Sequence, residues 1–125
     1  MKKIKIAIIG SGSTYTPELI QGFITRKKQL NIGSIFMCDI DQKKNEIVAG
    51  LVGRMLKANG LSPEMVLTQD LKAAVYGADY VLGQVRVGML DARIQDEKIP
   101  LKYHLIGQET TGIGGFMKAL RTIPV

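Results

Sequence analysis

Small and hydroxyl-bearing residues near the amino terminus have the spacing of a phosphate-binding turn. The apolar run Ile6 to Ile9 leads directly into Gly10-Ser11-Gly12. A glycine after a strand permits a tight turn, and a second glycine lets the backbone approach a pyrophosphate. Hydroxyl groups and the free N–H groups at the start of the next helix can then hold phosphate oxygens. We therefore expect the cofactor-binding residues of this turn to be Gly10, Ser11, Gly12, Ser13 and Thr14.

The third glycine of the usual dinucleotide-binding pattern is missing. Tyr15 stands in its place, and the segment Thr16-Pro17-Glu18 follows. Threonine can cap a helix, proline suits its first position, and glutamate favours its positive end. The sequence thus predicts a helix that starts late, and a turn that is modified but can still bind phosphate.

An acidic residue ends the second predicted strand. Asp39 follows this strand, and such a carboxylate can accept hydrogen bonds from the hydroxyls of an adenosine ribose. It would repel a 2′-phosphate, which favours NAD over NADP, although Lys43 and Lys44 weaken that preference. The alternative role for Asp39 is helix capping, for which Asp41 is better placed.

Further polar residues follow the fourth predicted strand. The carboxyl end of this strand should lie beside the nucleotide site, so we expect Gln84 and Arg86 to contact the cofactor. The planar guanidinium of Arg93 suits a phosphate or sugar oxygens. From spacing alone, the simpler interpretation of Arg93 is a surface ion pair with Asp91, Asp96 or Glu97.

The candidate binding residues lie between short apolar segments and amphipathic segments, which alternate along the chain. Such alternation indicates a parallel sheet with right-handed crossovers, which is an α/β fold. We expect a Rossmann-like doubly wound sheet, of which residues 1–125 form the amino-terminal part only, as one truncated NAD-binding domain. The predicted strands are 4–9, 34–38, 65–68 and 80–87. Three helices are predicted over 42–59, 70–76 and 90–97, and two more are predicted to begin at residues 16 and 116.

The composition of the chain limits which classes of partner it can bind. The net charge is +6, but the lysines are scattered and no aromatic platform accompanies them, so we expect no nucleic acid as a partner. No apolar run is long enough to cross a membrane, and a single cysteine, Cys38, suits the reducing cytoplasm. Exposed edges of an incomplete sheet predict self-association, so we expect a homo-oligomer.

Longer motifs resemble one enzyme family. The stretches "GSGSTYTPELI", "CDID", "QVRVGMLDAR", "DEKIPLKY", "IGQETTGIGG" and "LRTIPV" resemble the amino-terminal portion of glycoside hydrolase family 4. The likeness covers essentially the whole chain and is greatest to the branch that hydrolyses 6-phospho-β-glucosides. Tyr15 belongs to the turn pattern of that family, in which Ser11 replaces a usual glycine. Elsewhere in the chain, Met89 stands where a glycine is common, and His104 replaces the usual glycine after Lys102-Tyr103.

The resemblance implies a function and two roles for residues. It implies NAD and a divalent metal, usually manganese, as cofactors, and a phosphorylated disaccharide or glucoside as substrate. The implied reaction is an elimination assisted by transient oxidation of the sugar, in which a tyrosine base removes a proton. Arg93 corresponds to the substrate-binding arginine, and Glu109 to a glutamate that raises the basicity of the tyrosine.

The resemblance also places the metal ligands and the tyrosine base beyond residue 125, so we expect this chain alone to be inactive. Two alternatives stay open at this point. One is a fragment of a lactate- or malate-type NAD-dependent dehydrogenase, although "IGQETTGIGG" does not suit that class. The other is a non-enzymatic nucleotide-binding module.

Overall fold

Strands and helices alternate along the chain, as the apolar pattern predicts. The computed structural model describes residues 2–125. The strands are β1 (Ile4–Ile9), β2 (Ile32–Cys38), β3 (Glu64–Thr68) and β4 (Tyr80–Gly83). The helices are α1 (Thr16–Thr25), α2 (Gln42–Ala58), α3 (Leu71–Val75), α4 (Met89–Leu101) and α5 (Gly112–Thr122). The chain divides into two compact units, the first ending at Val85 and the second comprising Arg86–Val125.

The four strands of the first unit form one parallel sheet. Their order is β3-β2-β1-β4, so the chain builds outward from β1 in one direction and then crosses to its other side. This order confirms the prediction of a Rossmann-like doubly wound sheet. It also brings the carboxyl ends of β1, β2 and β4 to the same edge, where ligands of such sheets bind.

Helices cover the two faces of the sheet unequally. On one face, Ile8 of β1 packs with Ile20 of α1 and Val52 of α2, and each of these side chains is fully buried. Burial of an aliphatic side chain of this size stabilises the fold by roughly 1.5–3 kcal/mol. The short α3 lies on the other face, where the ammonium of Lys5 sits 3.6 Å from the centre of the Phe36 ring and bonds two carbonyls of the α3 segment.

Two strand boundaries differ from the prediction. The second strand was expected to begin at residue 34, but β2 already begins at Ile32. The register with β1 shifts there, because Ile4 pairs with Ile32 and Lys5 with Ser34, so Gly33 is the extra residue of a bulge. The fourth strand was expected to reach residue 87 but ends at Gly83, because its partner β1 ends at Ile9 and turns away at Gly10.

Two helix predictions also need correction. The fourth helix was expected to end near residue 97, before Pro100, but α4 continues to Leu101 with Pro100 in its last turn. There the missing N–H affects only the final turn, and the φ angle of proline suits a helix. The apolar residues of α2 at helical spacing, Ile47, Val48, Leu51, Val52, Met55 and Leu56, were expected to form one buried stripe, but Ile47 and Leu51 are exposed while Val52 and Leu56 are buried.

Candidate nucleotide-binding site

Gly10 shapes the turn after β1, and no other residue type would suit its position. Its φ angle is +81°, in the left-handed region, and its N–H donates to the carbonyl of Cys38 at 2.8 Å. A Cβ atom at this position would lie 2.8 Å from the backbone oxygen of Gln84. Glycine is therefore required both for the backbone angle and for the close approach of the chain after β4.

Gly12 connects the turn to the carboxylate of Asp39. Its N–H donates to Asp39 Oδ2 at 2.8 Å, and Asp39 Oδ1 accepts from the N–H of Asp41 at the same distance. A Cβ atom on Gly12 would lie only 3.0 Å from Asp39 Oδ2, so the short distance depends on glycine. Two neighbouring parallel strands thus bring the glycine turn (residues 10–14) against the acidic residue that the sequence pairs with it.

Asp39 keeps capacity for further hydrogen bonds. Each carboxylate oxygen accepts one backbone N–H, and an ionised carboxylate offers about four acceptor positions. Asp41 caps α2, as expected, because its side chain accepts from the N–H of Lys44 at 3.0 Å. That bond is the main reason why the pKa of Asp41 lies below its ordinary value.

The hydroxyl groups of the turn have different environments. The Ser11 side chain is fully buried and donates to Asn45 Oδ1 at 2.8 Å, so it is bound inside the protein. Ser13 Oγ accepts from the N–H of Tyr15 at 3.2 Å. Thr14 is exposed, and no hydrogen bond within residues 2–125 uses its N–H. The cofactor roles predicted for these three residues remain predictions.

Thr16 and Gln84 form hydrogen bonds next to the glycine turn. Helix α1 begins at Thr16, whose hydroxyl donates to the carbonyl of Ser11 at 2.8 Å, so the expected capping role of Thr16 is wrong and Tyr15 occupies the cap position. Gln84 Nε2 donates to Thr16 Oγ1 at 3.2 Å. The other end of this amide, Oε1, is buried and has no hydrogen-bond partner among the described residues.

In the second unit, Arg86, which was expected to contact the cofactor, and Arg93, to which the resemblance gives a substrate role, both lie against the carboxylate of Glu109. The cofactor role of Arg86 stays a prediction. Arg86 donates to Glu109 Oε1 at 3.0 Å, Arg93 lies 3.1 Å from Glu109 Oε2, and Lys118 Nζ lies 3.9 Å from Oε1. We call these four residues the Glu109 cluster. Arg93 also donates to Glu97 at 2.8 Å, the surface pair that spacing alone favoured, and this bond, followed by the charge of Glu109, raises the pKa of Arg93.

The loop that carries Glu109 lies directly on two helices. A Cβ atom on Gly107 would overlap the carbonyl of Glu97 in α4, and one on Gly114 would overlap the carbonyl of Gln108. The side chain of Asp96 is buried and binds both guanidinium nitrogens of Arg121, at 2.9 and 2.7 Å. This bond lowers the pKa of Asp96 and joins α4 to α5.

The departures from the family pattern show backbone strain. His104 has a φ angle of +58° and Met89 one of +54°, and both lie in the region that favours glycine. Cys38 is buried, and burial raises the pKa of its thiol. Among residues 2–125 no helix is long and apolar enough to cross a membrane, and no cluster of at least three metal-binding side chains exists.

Asn45 is the polar residue of this region that the sequence analysis missed. It is 2% exposed, and its amide joins Ser11 to the carbonyl of Met37. A signal was present, because Asn45 precedes Ala49, Val52 and Leu56 at helical spacing and so interrupts the buried side of α2 with an amide.

The fold and the glycine turn together define the nucleotide-binding half of a doubly wound α/β protein. Residues 5–125 match the model of the family 4 glycosyl hydrolases, and the chain belongs to this family. The match decides against the lactate- or malate-type alternative.

Relatives with assigned activities are similar over nearly the whole chain. It is 49% identical over 126 residues to a probable 6-phospho-β-glucosidase of Bacillus subtilis, covering 99% of this chain and 28% of that protein. It is 44% identical to the 6-phospho-β-glucosidase of Escherichia coli, with the same coverage. The chain therefore spans just over a quarter of the length of these relatives.

Solved structures are also similar. The 6-phospho-β-glucosidase of Thermotoga maritima with NAD and glucose-6-phosphate matches with a TM-score of 0.91 at 44% identity, over 98% of this chain and 29% of that one. A 6-phospho-α-glucosidase from gut microorganisms, in complex with the same two ligands, matches with a TM-score of 0.90 at 38% identity, over 99% of this chain and 29% of that one.

Proposed function

We propose that this chain supplies the NAD-binding part of a 6-phospho-β-glucosidase that depends on NAD and a divalent metal. The observation that carries the proposal is the hydrogen bond from the N–H of Gly12 to Asp39 Oδ2, at the carboxyl ends of two adjacent parallel strands. The relatives named for 6-phospho-β-glucosides are 44–49% identical, which supports the β substrate class over the relatives named as phospho-α-glucosidases or maltose-6′-phosphate glucosidases, at 33–38%.

The described residues suit NAD. Gly10 and Gly12 give the turn its left-handed backbone angle and its close contact with Asp39, and the N–H of Thr14 is available as a donor to a phosphate. Asp39 accepts hydrogen bonds from the ribose hydroxyls while its charge disfavours a 2′-phosphate. The buried Oε1 of Gln84 is an acceptor that needs a donor. When bound, NAD supplies a reversible hydride acceptor.

The second unit contributes charged groups to the substrate. Arg93 binds the phosphorylated sugar through its planar guanidinium, which matches phosphate and vicinal oxygens. Glu109 accepts a proton or a hydrogen bond and so increases the basicity of a tyrosine that lies outside this chain. Arg86 and Lys118, on the other side of the same carboxylate, keep it oriented.

The described residues do not suit a divalent metal, because residues 2–125 contain no group of at least three His, Cys, Asp or Glu side chains that could hold one. We therefore expect no release of nitrophenol from nitrophenyl 6-phospho-β-glucoside when the 125-residue chain is assayed with NAD, manganese and a reductant. Measurable turnover would show that the metal and the base are not required from elsewhere.

Cytoplasmic location and self-association belong to the same proposal. The lone buried Cys38 supports a reducing compartment. Self-association is supported by exposed apolar side chains on α5 and directly after it, namely Ile113, Phe116, Leu120 and Ile123. Sedimentation equilibrium should show a mass that rises with protein concentration, and a monomer at all concentrations would contradict this.

Calorimetric titration of the chain with NAD and NADP tests the cofactor assignment. Asp39→Asn should weaken NAD binding by about tenfold or more, since hydrogen bonds to charged groups contribute about 1.5–3 kcal/mol, and should reduce the preference over NADP. Asp79→Asn is the matched control, because Asp79 also accepts a backbone N–H, that of Lys5 at 2.8 Å, but at the opposite edge of the sheet.

The proposal fails for this chain if the native protein does not bind NAD at millimolar concentration. It also fails if Asp39→Asn and Asp79→Asn have the same effect on NAD affinity, since the carboxylate at the end of β2 would then have no special role.

A further inference from the structure

Ser11 is held on all sides by the protein. Its N–H donates to the carbonyl of Cys38 at 3.2 Å, its carbonyl accepts from the hydroxyl of Thr16 at 2.8 Å, and its own hydroxyl donates to Asn45 at 2.8 Å. The residue has no exposed surface. A direct hydrogen bond from this hydroxyl to a ligand would require opening of that buried arrangement.

Asn45 links the glycine turn to the backbone of β2. Its Oδ1 accepts from Ser11, and its Nδ2 donates to the carbonyl of Met37 at 2.9 Å. Only Nδ2 can donate, and it bonds the Met37 carbonyl, which leaves Oδ1 as the acceptor for the serine. Both ends of the amide are therefore satisfied at a site that is 2% exposed.

Loss of this amide would remove a hydrogen bond from each of two buried polar groups. The hydroxyl of Ser11 would lose its acceptor, and the carbonyl of Met37 would lose a donor. Such groups are costly when buried, so the turn would move to recover hydrogen bonds. Any movement of Ser11 displaces its neighbour Gly12, whose N–H is bonded to Asp39.

We propose that Asn45 is a positioning residue for dinucleotide binding, which acts through the hydroxyl of Ser11 to hold the glycine turn in its binding conformation. In this arrangement Ser11 anchors the turn and does not contact the cofactor, while Gly12, Thr14 and Asp39 face it. The inference rests on the proposed NAD-binding function. It differs from that proposal because it assigns roles to two side chains that a ligand does not reach.

The test compares three variants with the native chain: Asn45→Leu, Ser11→Ala and the double variant. Asn45→Leu keeps a similar side-chain volume without the amide, and Ser11→Ala removes the same hydrogen bond from the other side. Asn59→Leu is the matched control, since Asn59 also donates to a backbone carbonyl, that of Met55 at 2.8 Å, at the opposite end of α2. Two quantities are measured: NAD affinity by calorimetry, and hydrogen exchange of the Gly12 amide without ligand.

Each single variant should weaken NAD binding by about tenfold and accelerate exchange at Gly12 by a similar factor. The double variant should be no weaker than the worse single variant, because both changes remove one shared bond and their effects do not add. Asn59→Leu should alter neither quantity, even if it lowers the melting temperature.

Several results would overturn the inference. If Asn45→Leu lowers stability but leaves NAD affinity and Gly12 exchange at the values of Asn59→Leu, then Asn45 only supports the fold. Additive effects in the double variant would show that Ser11 contacts the cofactor independently. If Asn45→Leu does not fold, Ser11→Ala gives the decision through the same two measurements.

Failure of the proposed function has a different outcome. If the native chain does not bind NAD, that function falls, but exchange at Gly12 in the ligand-free variants still shows whether Asn45 holds the turn. Unchanged exchange in Asn45→Leu and Ser11→Ala would refute the inference with or without NAD.

Discussion

Gly10 offers a sharp test of how the turn is built, because the chain contains a control that separates two energetic costs. Gly10→Ala places a methyl group at a left-handed φ angle of +81° and 2.8 Å from the backbone oxygen of Gln84. Gly60→Ala also places a methyl group at a left-handed φ angle, here +72°, but without an overlap, since nothing lies within 4 Å of its Cβ position.

The magnitudes follow from these two environments. A left-handed conformation costs a non-glycine residue about 1–2 kcal/mol, and the lower entropy of unfolded alanine returns about 0.4–1 kcal/mol. Gly60→Ala should therefore destabilise the chain by about 1 kcal/mol. Gly10→Ala adds an overlap with backbone atoms that cannot rotate away, which costs a further 1–3 kcal/mol or so. Its total should be about 2–4 kcal/mol, a large part of the about 5–15 kcal/mol typical of a domain.

Urea unfolding followed by circular dichroism measures both values, and it suits a chain that has no tryptophan. Calorimetry with NAD should in addition show loss of binding for Gly10→Ala and none for Gly60→Ala. Equal destabilisation by the two substitutions would refute the reasoning, since it would mean that the approach of Gln84 to the turn imposes no constraint.

Two further predictions concern the second unit. His104→Gly should slow hydrogen exchange at the amides of Tyr103 and Leu105, because relief of the left-handed φ angle at His104 contributes about 0.5–1 kcal/mol, whereas His104→Ala should not; equal exchange in the two variants would contradict this. The pKa of Asp96 is lowered by Arg121, so the stabilisation is present above the ordinary carboxyl pKa and is lost as the pH falls through the lowered value. At pH 7 Asp96→Asn should lower the free energy of unfolding of this unit by about 2 kcal/mol, which is less than for a fully buried pair because Arg121 is partly exposed. Hydrogen exchange of the α4 and α5 amides should show the difference between the native and variant chains becoming smaller in acid. A difference that does not depend on pH would refute this prediction.

Local signals in the sequence predicted much of the first unit. Gly60, with a φ angle of +72°, follows the end of α2 as a stop signal, and Asp41 caps the start of the same helix through a bond that its position predicts. The pairing of the glycine turn with Asp39 followed from the order of strands, because parallel neighbours bring their carboxyl ends together. These features depend on residues close to one another in sequence or on simple topology.

Other features depended on partners that a pattern cannot identify. The length of β4 was set by where β1 ends, and Gly33 belongs to a bulge because of its pairing with β1. Ser11 was expected to face a ligand, but its hydroxyl is bound by Asn45, which lies 34 residues away. The Glu109 cluster likewise joins residues from α4, α5 and two loops, whose side chains meet only after folding.

The position of β1 between β2 and β4 affects the order in which the sheet folds during synthesis. β1 and β2 can pair early, but the carboxylate that closes the start of β4 onto β1, that of Asp79, is 74 residues from its partner Lys5. Contacts between such distant segments form late, since a long loop must first be closed. One side of β1 therefore stays open while the ribosome adds most of the first unit, and the turn at Gly10 gains its final neighbour only when Gln84 has emerged.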